Sequence, residues 1–79
     1  MLKEEQIESF LNELCESIEV PKGFLKKETA IKEIAWDSLA IISCIALSDE
    51  QFNIMLSGDE LSKIDTIGDI IKLISQKIQ

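Results

Sequence analysis

An all-α fold, a small four-helix bundle, is what this 79-residue chain predicts. Three observations lead there. Apolar residues recur at spacings of three and four along three stretches, which is the period of one buried helix face. No stretch alternates with period two for long enough to make a strand. Between the first and second helical stretches lies a long connection that opens with Pro21 and Gly23. The expected architecture is three main helices plus one short helix, with a long loop between helices one and two. The length fits a single domain over residues 1–79, near the lower limit for a self-sufficient core.

Ile7, Phe10, Leu11, Leu14 and Ile18 form one face, while Glu4, Glu5, Glu8, Glu13 and Glu16 fill the others. The spacing predicts an amphipathic helix from about Lys3 to Ile18. Val20-Pro21-Lys22-Gly23 stops it, because proline cannot continue the hydrogen-bond ladder. In the connection from about Pro21 to Trp36, Phe24, Leu25, Ile31 and Ile34 are placed to pin the loop to the core. A second helix starts at Asp37-Ser38 and runs to about Phe52. A short third segment, from Gly58 to about Ile64, presents Leu61 and Ile64. The last helix starts near Asp65-Thr66, both good capping residues, and aligns Ile67, Ile70, Ile71, Ile74 and Ile78.

A wheel of the second helix puts Ile41, Cys44, Ile45, Ser48 and Phe52 on one face, the expected core stripe. Leu39, Ile42 and Ala46 form a second apolar patch displaced from it. Shielding by the long loop would account for this patch, and so would a docking surface for a partner.

Composition excludes several functions. The formal charge is −7, from 15 acidic residues against 8 lysines and no arginine. Such a field repels nucleic acid and anionic membranes and favours partners with basic patches. Without histidine or tyrosine the chain lacks the commonest general base and the commonest metal ligand. Cys15 and Cys44 have no zinc-like spacing and fall in apolar segments, as buried reduced thiols would. No metal site and no catalytic residue is expected. A calcium loop counted from Asp59 fails, because its third and fifth positions are Leu61 and Lys63. The charged start and the lack of any ~18-residue apolar run predict a soluble, cytoplasmic, monomeric protein.

Ala35-Trp36-Asp37-Ser38-Leu39 opens the second helix. A serine hydroxyl at a helix N-terminus is exposed, and the unpaired amides there favour a phosphodiester anion. Either Ser38 or Asp37 could also serve simply as the helix cap. Further on stand Phe52, Leu56, Asp59-Glu60 and Ile64-Asp65-Thr66-Ile67. With these residues in this order, and with the lengths of the first helix and loop, the chain resembles the acyl carrier protein family. Its attachment site is an Asp-Ser-Leu tripeptide opening the second helix.

The resemblance implies a covalent 4′-phosphopantetheine on Ser38, placed there by a phosphopantetheinyl transferase using coenzyme A and magnesium, with Asp37 orienting the hydroxyl. The thiol of the arm would hold an acyl or aminoacyl group as a thioester. The carrier would supply no catalysis of its own. Acyl-transferring or acyl-activating enzymes with basic and apolar patches would dock on Leu39, Ile42, Ala46, Asp49, Glu50, Asp59 and Glu60. Carriers of fatty acid synthesis commonly have acidic residues two and five places after the serine, where this chain has Ala40 and Ser43, both off the expected core stripe. Ile34-Ala35 replaces the usual Leu-Gly, and Ser57 replaces the usual proline. These departures point to a specialised pathway whose enzymes read an apolar helix face. A housekeeping fatty acid carrier and an acidic helical adaptor that carries nothing are the alternatives.

Overall fold

Glu4–Ser17 form the first helix (α1), Ser38–Phe52 the second (α2), Gly58–Ser62 the third (α3) and Ile67–Ile78 the fourth (α4), in a computed structural model that describes residues 2–78. The fold is all-α, and among the described residues the only extended pairing is one isolated antiparallel bridge, Ala30 with Thr66. Phe10, Leu14, Leu56, Leu61, Ile67, Ile70 and Ile74 are fully buried and form the centre of the core. Phe10 meets Phe52 of α2 with ring centroids 5.8 Å apart, an ordinary tilted aromatic contact.

The start of α1 is held by the Lys3 amide, which donates to Gln6 Oε1 at 2.9 Å. At its other end Val20 N–H donates to the Cys15 carbonyl and Glu19 N–H to that of Glu16. This double closure needs a left-handed residue, and Glu19 supplies it at φ 60°. A side chain is disfavoured there and glycine is not. Glu19→Gly is therefore expected to stabilise the fold by about 0.5–1 kcal/mol, read as a higher urea midpoint with an unchanged slope.

The long connection turns at Pro21–Phe24, where Gly23 takes φ 85° and Phe24 N–H donates to the Pro21 carbonyl at 3.0 Å. Leu25 is buried as expected, and Ile31 and Ile34 pack against the core. Phe24 does not pin the loop; it is 48% exposed. Main-chain bonds do most of the pinning. Ile31 N–H donates to the Asp65 carbonyl, Ile67 N–H to Thr29 and Gly68 N–H to Lys27, the last at 2.8 Å. A Cβ on Gly68 would lie 3.0 Å from the Lys27 carbonyl oxygen, so a side chain there would push the loop back by a few tenths of an ångström. A short 3-10 turn, Ile31–Glu33, then brings the chain back toward α2.

One boundary differs from the sequence expectation: the short third helix ends at Ser62 and not near Ile64, while α4 begins at Ile67, directly after Asp65-Thr66 as expected. Neither Asp65 nor Thr66 caps α4 through its side chain in the manner expected. The Asp69 carboxylate reaches back instead, accepting the amides of Asp65 at 2.9 Å and Thr66 at 3.1 Å. These bonds hold the Asp69 carboxyl below its ordinary value of 3.8. A carboxyl lowered by folding stabilises the fold above its unfolded value, and that contribution is lost as pH falls through the folded value. Melting curves taken from about pH 5 to about pH 2.5 should show a smaller acid-induced loss in Asp69→Asn than in the native protein.

The buried stripe of α2 keeps Cys44 and Ser48 from the expected one and adds Ala40, and the other expected members pack against the core without being fully buried. Ala40, Cys44 and Ser48 are its buried residues, while Ile41, Ile45 and Phe52 lie on its flank, partly exposed. These three small side chains, four apart, form one line along the helix. The Ser48 hydroxyl is satisfied by donating to the Cys44 carbonyl at 2.9 Å.

Candidate functional site

The chain enters α2 through Ala35, Trp36 and Asp37, and each step has a physical cause. Asp37 is extended and its Oδ1 accepts the Ala40 amide at 3.0 Å. Asp37, not Ser38, is therefore the cap. Ser38 follows as the first residue of the helix and is exposed. By helix geometry the amides of Ser38 and Leu39 have no intrahelical partner. The positive end of a 15-residue helix thus lies beside an exposed hydroxyl, an arrangement that suits an anionic substituent on that oxygen.

One residue earlier, the Trp36 indole N–H donates to the Leu61 carbonyl of α3 at 2.9 Å. That bond crosses from the entry of α2 to a helix of only five residues. On the other side of Ser38 a cleft of about 230 Å³ is lined by Ser17, Ile18, Glu19, Ala35, Asp37, Leu39 and Ala40. Ala40 shares that cleft with Ser17 at the end of α1 and is only 2% exposed. Ala40 is a packing residue and not a vacant surface position. Ser43 is half-exposed.

The other expected site residues separate into three groups. Leu39 and Ile42 are 67% and 61% exposed, and Ala46 is exposed as well, so the second apolar patch of α2 is not shielded by the loop. Asp49 and Glu50 are exposed in the last turn of α2, about 16 Å along the helix from Ser38 at 1.5 Å per residue. Asp59 is exposed and pairs with Lys63 at 3.2 Å. The Glu60 carboxylate is occupied: it accepts the Ser57 amide at 3.1 Å and faces Lys77 at 3.5 Å. The amide of Ser57, with smaller help from Lys77, holds the Glu60 carboxyl below its usual value.

Sequence reasoning missed two features. Met55, in the connection from α2 to α3, is 69% exposed. It lies in a stretch with no helical period, so no wheel could place it. The Trp36–Leu61 bond joins positions 25 apart in the chain, and no local pattern announces it.

Both cysteines are buried and free. Burial pushes the Cys44 thiol up to about 12, so at neutral pH it is not a nucleophilic thiolate. Among the described residues no group of three or more His, Cys, Asp or Glu could hold a metal ion, and no helix is long and apolar enough to cross a membrane.

Comparison with known proteins gives the following. No family profile matches the chain. It is 36% identical over 56 residues to the acyl carrier protein homolog of Mycoplasmopsis pulmonis, covering 71% of this chain and 77% of that protein. It is 30% identical over 62 residues to the acyl carrier protein of Wolinella succinogenes, covering 77% and 82%. To the acyl carrier protein of Caulobacter vibrioides it is 30% identical over 57 residues, covering 72% and 73%.

Proposed function

The chain belongs to the acyl carrier protein family, and on that premise we propose that Ser38 carries 4′-phosphopantetheine and presents an acyl or aminoacyl group to enzymes of a specialised biosynthetic pathway. The observation that carries this reading is the position of Ser38: exposed, first in its helix, and released from capping by Asp37.

The residues present fit the group. Ser38 Oγ would hold it covalently, and the unpaired amides of Ser38 and Leu39 would lie nearest the phosphodiester. When bound, the group supplies a flexible thiol that holds cargo as a thioester. Asp37 acts on the protein side by fixing the first turn through the Ala40 amide. The hydroxyl proton of Ser38 passes to a base of the transferase, because this chain has no histidine to take it. Cys44, buried and protonated, leaves the thioester alone.

Docking is assigned to the exposed face of α2, where Leu39, Ile42 and Ala46 are apolar, with Asp49, Glu50 and Asp59 as charged surroundings. Glu60 is the weakest member of that set, since its carboxylate already serves Ser57 and Lys77. The exposed middle of α2 bears no charge, which supports enzymes that read an apolar face and so a specialised pathway. Ile42→Asp is expected to leave the melting temperature nearly unchanged, as exposed substitutions usually do, while lowering transfer to partner enzymes about tenfold or more. Unfolding of this variant would contradict the docking assignment.

The test of the function has two arms. The native protein, coenzyme A, magnesium and a broad-range phosphopantetheinyl transferase should yield one added arm on Ser38. Protein purified from its own host should carry the arm with a cargo identifiable by mass spectrometry. An unmodified protein in both arms would favour the non-carrying adaptor. An ordinary fatty acyl cargo would favour the housekeeping carrier.

A further inference from the structure

We propose that Trp36 is a positioning residue that sets α3 in register with Ser38, so that the enzyme acting on Ser38 reads α3 at the same time. The proposal rests on the reading of Ser38 as the attachment serine. The geometry behind it is a bracket around the first turn of α2. At one end the Trp36 indole holds the Leu61 carbonyl at 2.9 Å. At the other, Ile41 Cγ2 lies 3.9 Å from where a Cβ on Gly58 would stand. The whole of α3, Gly58–Ser62, is therefore laid against the turn that begins with Ser38.

A five-residue helix has no stability of its own, because nucleation costs more than so few bonds return. Its place is set by what holds it. Leu61 is fully buried, Ser57 and Glu60 close its first turn, and Lys77 of α4 faces Glu60. Those contacts fix α3 to the core and to α4. The Trp36 bond is different in kind, because it ties α3 directly to the residue two places before Ser38. It also supplies a partner for a carbonyl in the last turn of α3, where main-chain acceptors run out of amides. With the latch closed, the exposed Asp59 of α3 keeps a fixed place relative to the Ser38 hydroxyl. A basic group of the enzyme can then meet Asp59 while its active site meets Ser38. Trp36 touches neither substrate nor cofactor and acts through α3.

The test is steady-state phosphopantetheinylation of the full chain by a transferase with coenzyme A and magnesium. Four proteins are compared: native, Trp36→Phe, Asp59→Asn and the double variant. Trp36→Phe keeps a ring in place and removes the N–H donor. It should raise KM for the carrier roughly three- to tenfold, the scale of one lost hydrogen bond, with kcat changed by less than about twofold. Asp59→Asn should raise KM in the native background and add little in Trp36→Phe, since a released α3 no longer holds Asp59 in place. The amide resonances of residues 58–62 should shift in Trp36→Phe while those of α1 stay put. If Trp36→Phe folds poorly, the benzothienyl analogue of tryptophan at position 36 repeats the experiment, with sulfur replacing the N–H in a ring system of nearly the same shape. An unchanged KM in the folded variant overturns the proposal, and so do effects of Trp36→Phe and Asp59→Asn that simply multiply. Those results would leave Ser38 modification intact and so fail the latch alone. A native protein that accepts no arm at all fails the carrier reading and takes the latch with it.

Discussion

Ser38→Ala should accept no phosphopantetheine under conditions that convert the native protein completely, the largest functional effect expected of any single substitution here. The reason is chemical, since the variant removes the only oxygen that the proposal lets form the phosphodiester. The structure also says what the variant should not do. Asp37 provides the cap of α2 through Ala40, so losing the Ser38 hydroxyl should change stability by no more than about 0.5 kcal/mol. Asp37→Ala is the informative control. It should cost about 1 kcal/mol as a lost cap and leave Ser38 Oγ available, so modification slows without disappearing. Mass spectrometry of the four combinations, native or Ser38→Ala with and without transferase, reads the result directly. An arm that still appears on Ser38→Ala would end the assignment of this serine.

Ala40→Glu should lose about 3 kcal/mol or more, the largest stability effect expected of a single change near the site. Ala40 is 2% exposed, and Ile18, Glu19 and Asp37 line the same cleft. A glutamate there overpacks the contact, typically costing about 1–3 kcal/mol, and buries a carboxylate beside other carboxylates at further cost. In a domain of this size each kilocalorie moves the midpoint by about 4–8 °C, so a fall of roughly 12–24 °C is expected in thermal unfolding. The pH dependence has a definite sign. Burial raises the folded pKa of the introduced carboxyl above its unfolded value, so the folded form binds the extra proton. Relative to the native protein at the same pH, the variant should therefore recover stability as pH falls through that interval. Ser43→Glu, at a half-exposed position, should change stability by about 0.5 kcal/mol or less. Restoring charge to this helix for a fatty acid synthesis enzyme is thus possible at 43 and not at 40. Equal tolerance of the two substitutions would contradict the burial of Ala40.

Much of this protein was determined by its sequence alone. The apolar spacing of residues 7–18 and 67–78 specifies amphipathic helices whatever their neighbours, because side chains three and four apart must share a face. Pro21 bars the first helix from continuing for reasons internal to the backbone, although the closure itself falls earlier, at Glu19. Asp37-Ser38-Leu39, with the residues that follow in order, marks the entry of the second helix and the family resemblance. What only the tertiary structure decided is direction. In α2 nearly every face is apolar, so periodicity placed the buried face only approximately, and the larger side chains Ile41 and Ile45 were expected to share the core fully with Cys44 and Ser48. Packing buried Cys44 and Ser48 as the wheel placed them, but added Ala40 and left Ile41 and Ile45 only partly covered. Tertiary packing also made Ala40, expected at the surface, a buried position. Contacts between residues distant in the chain were equally out of reach: Trp36 with Leu61, Glu60 with Lys77, and the loop carbonyls of Lys27 and Thr29 with the start of α4. Each joins groups whose local sequence would be the same without its partner, so only folding could bring them together.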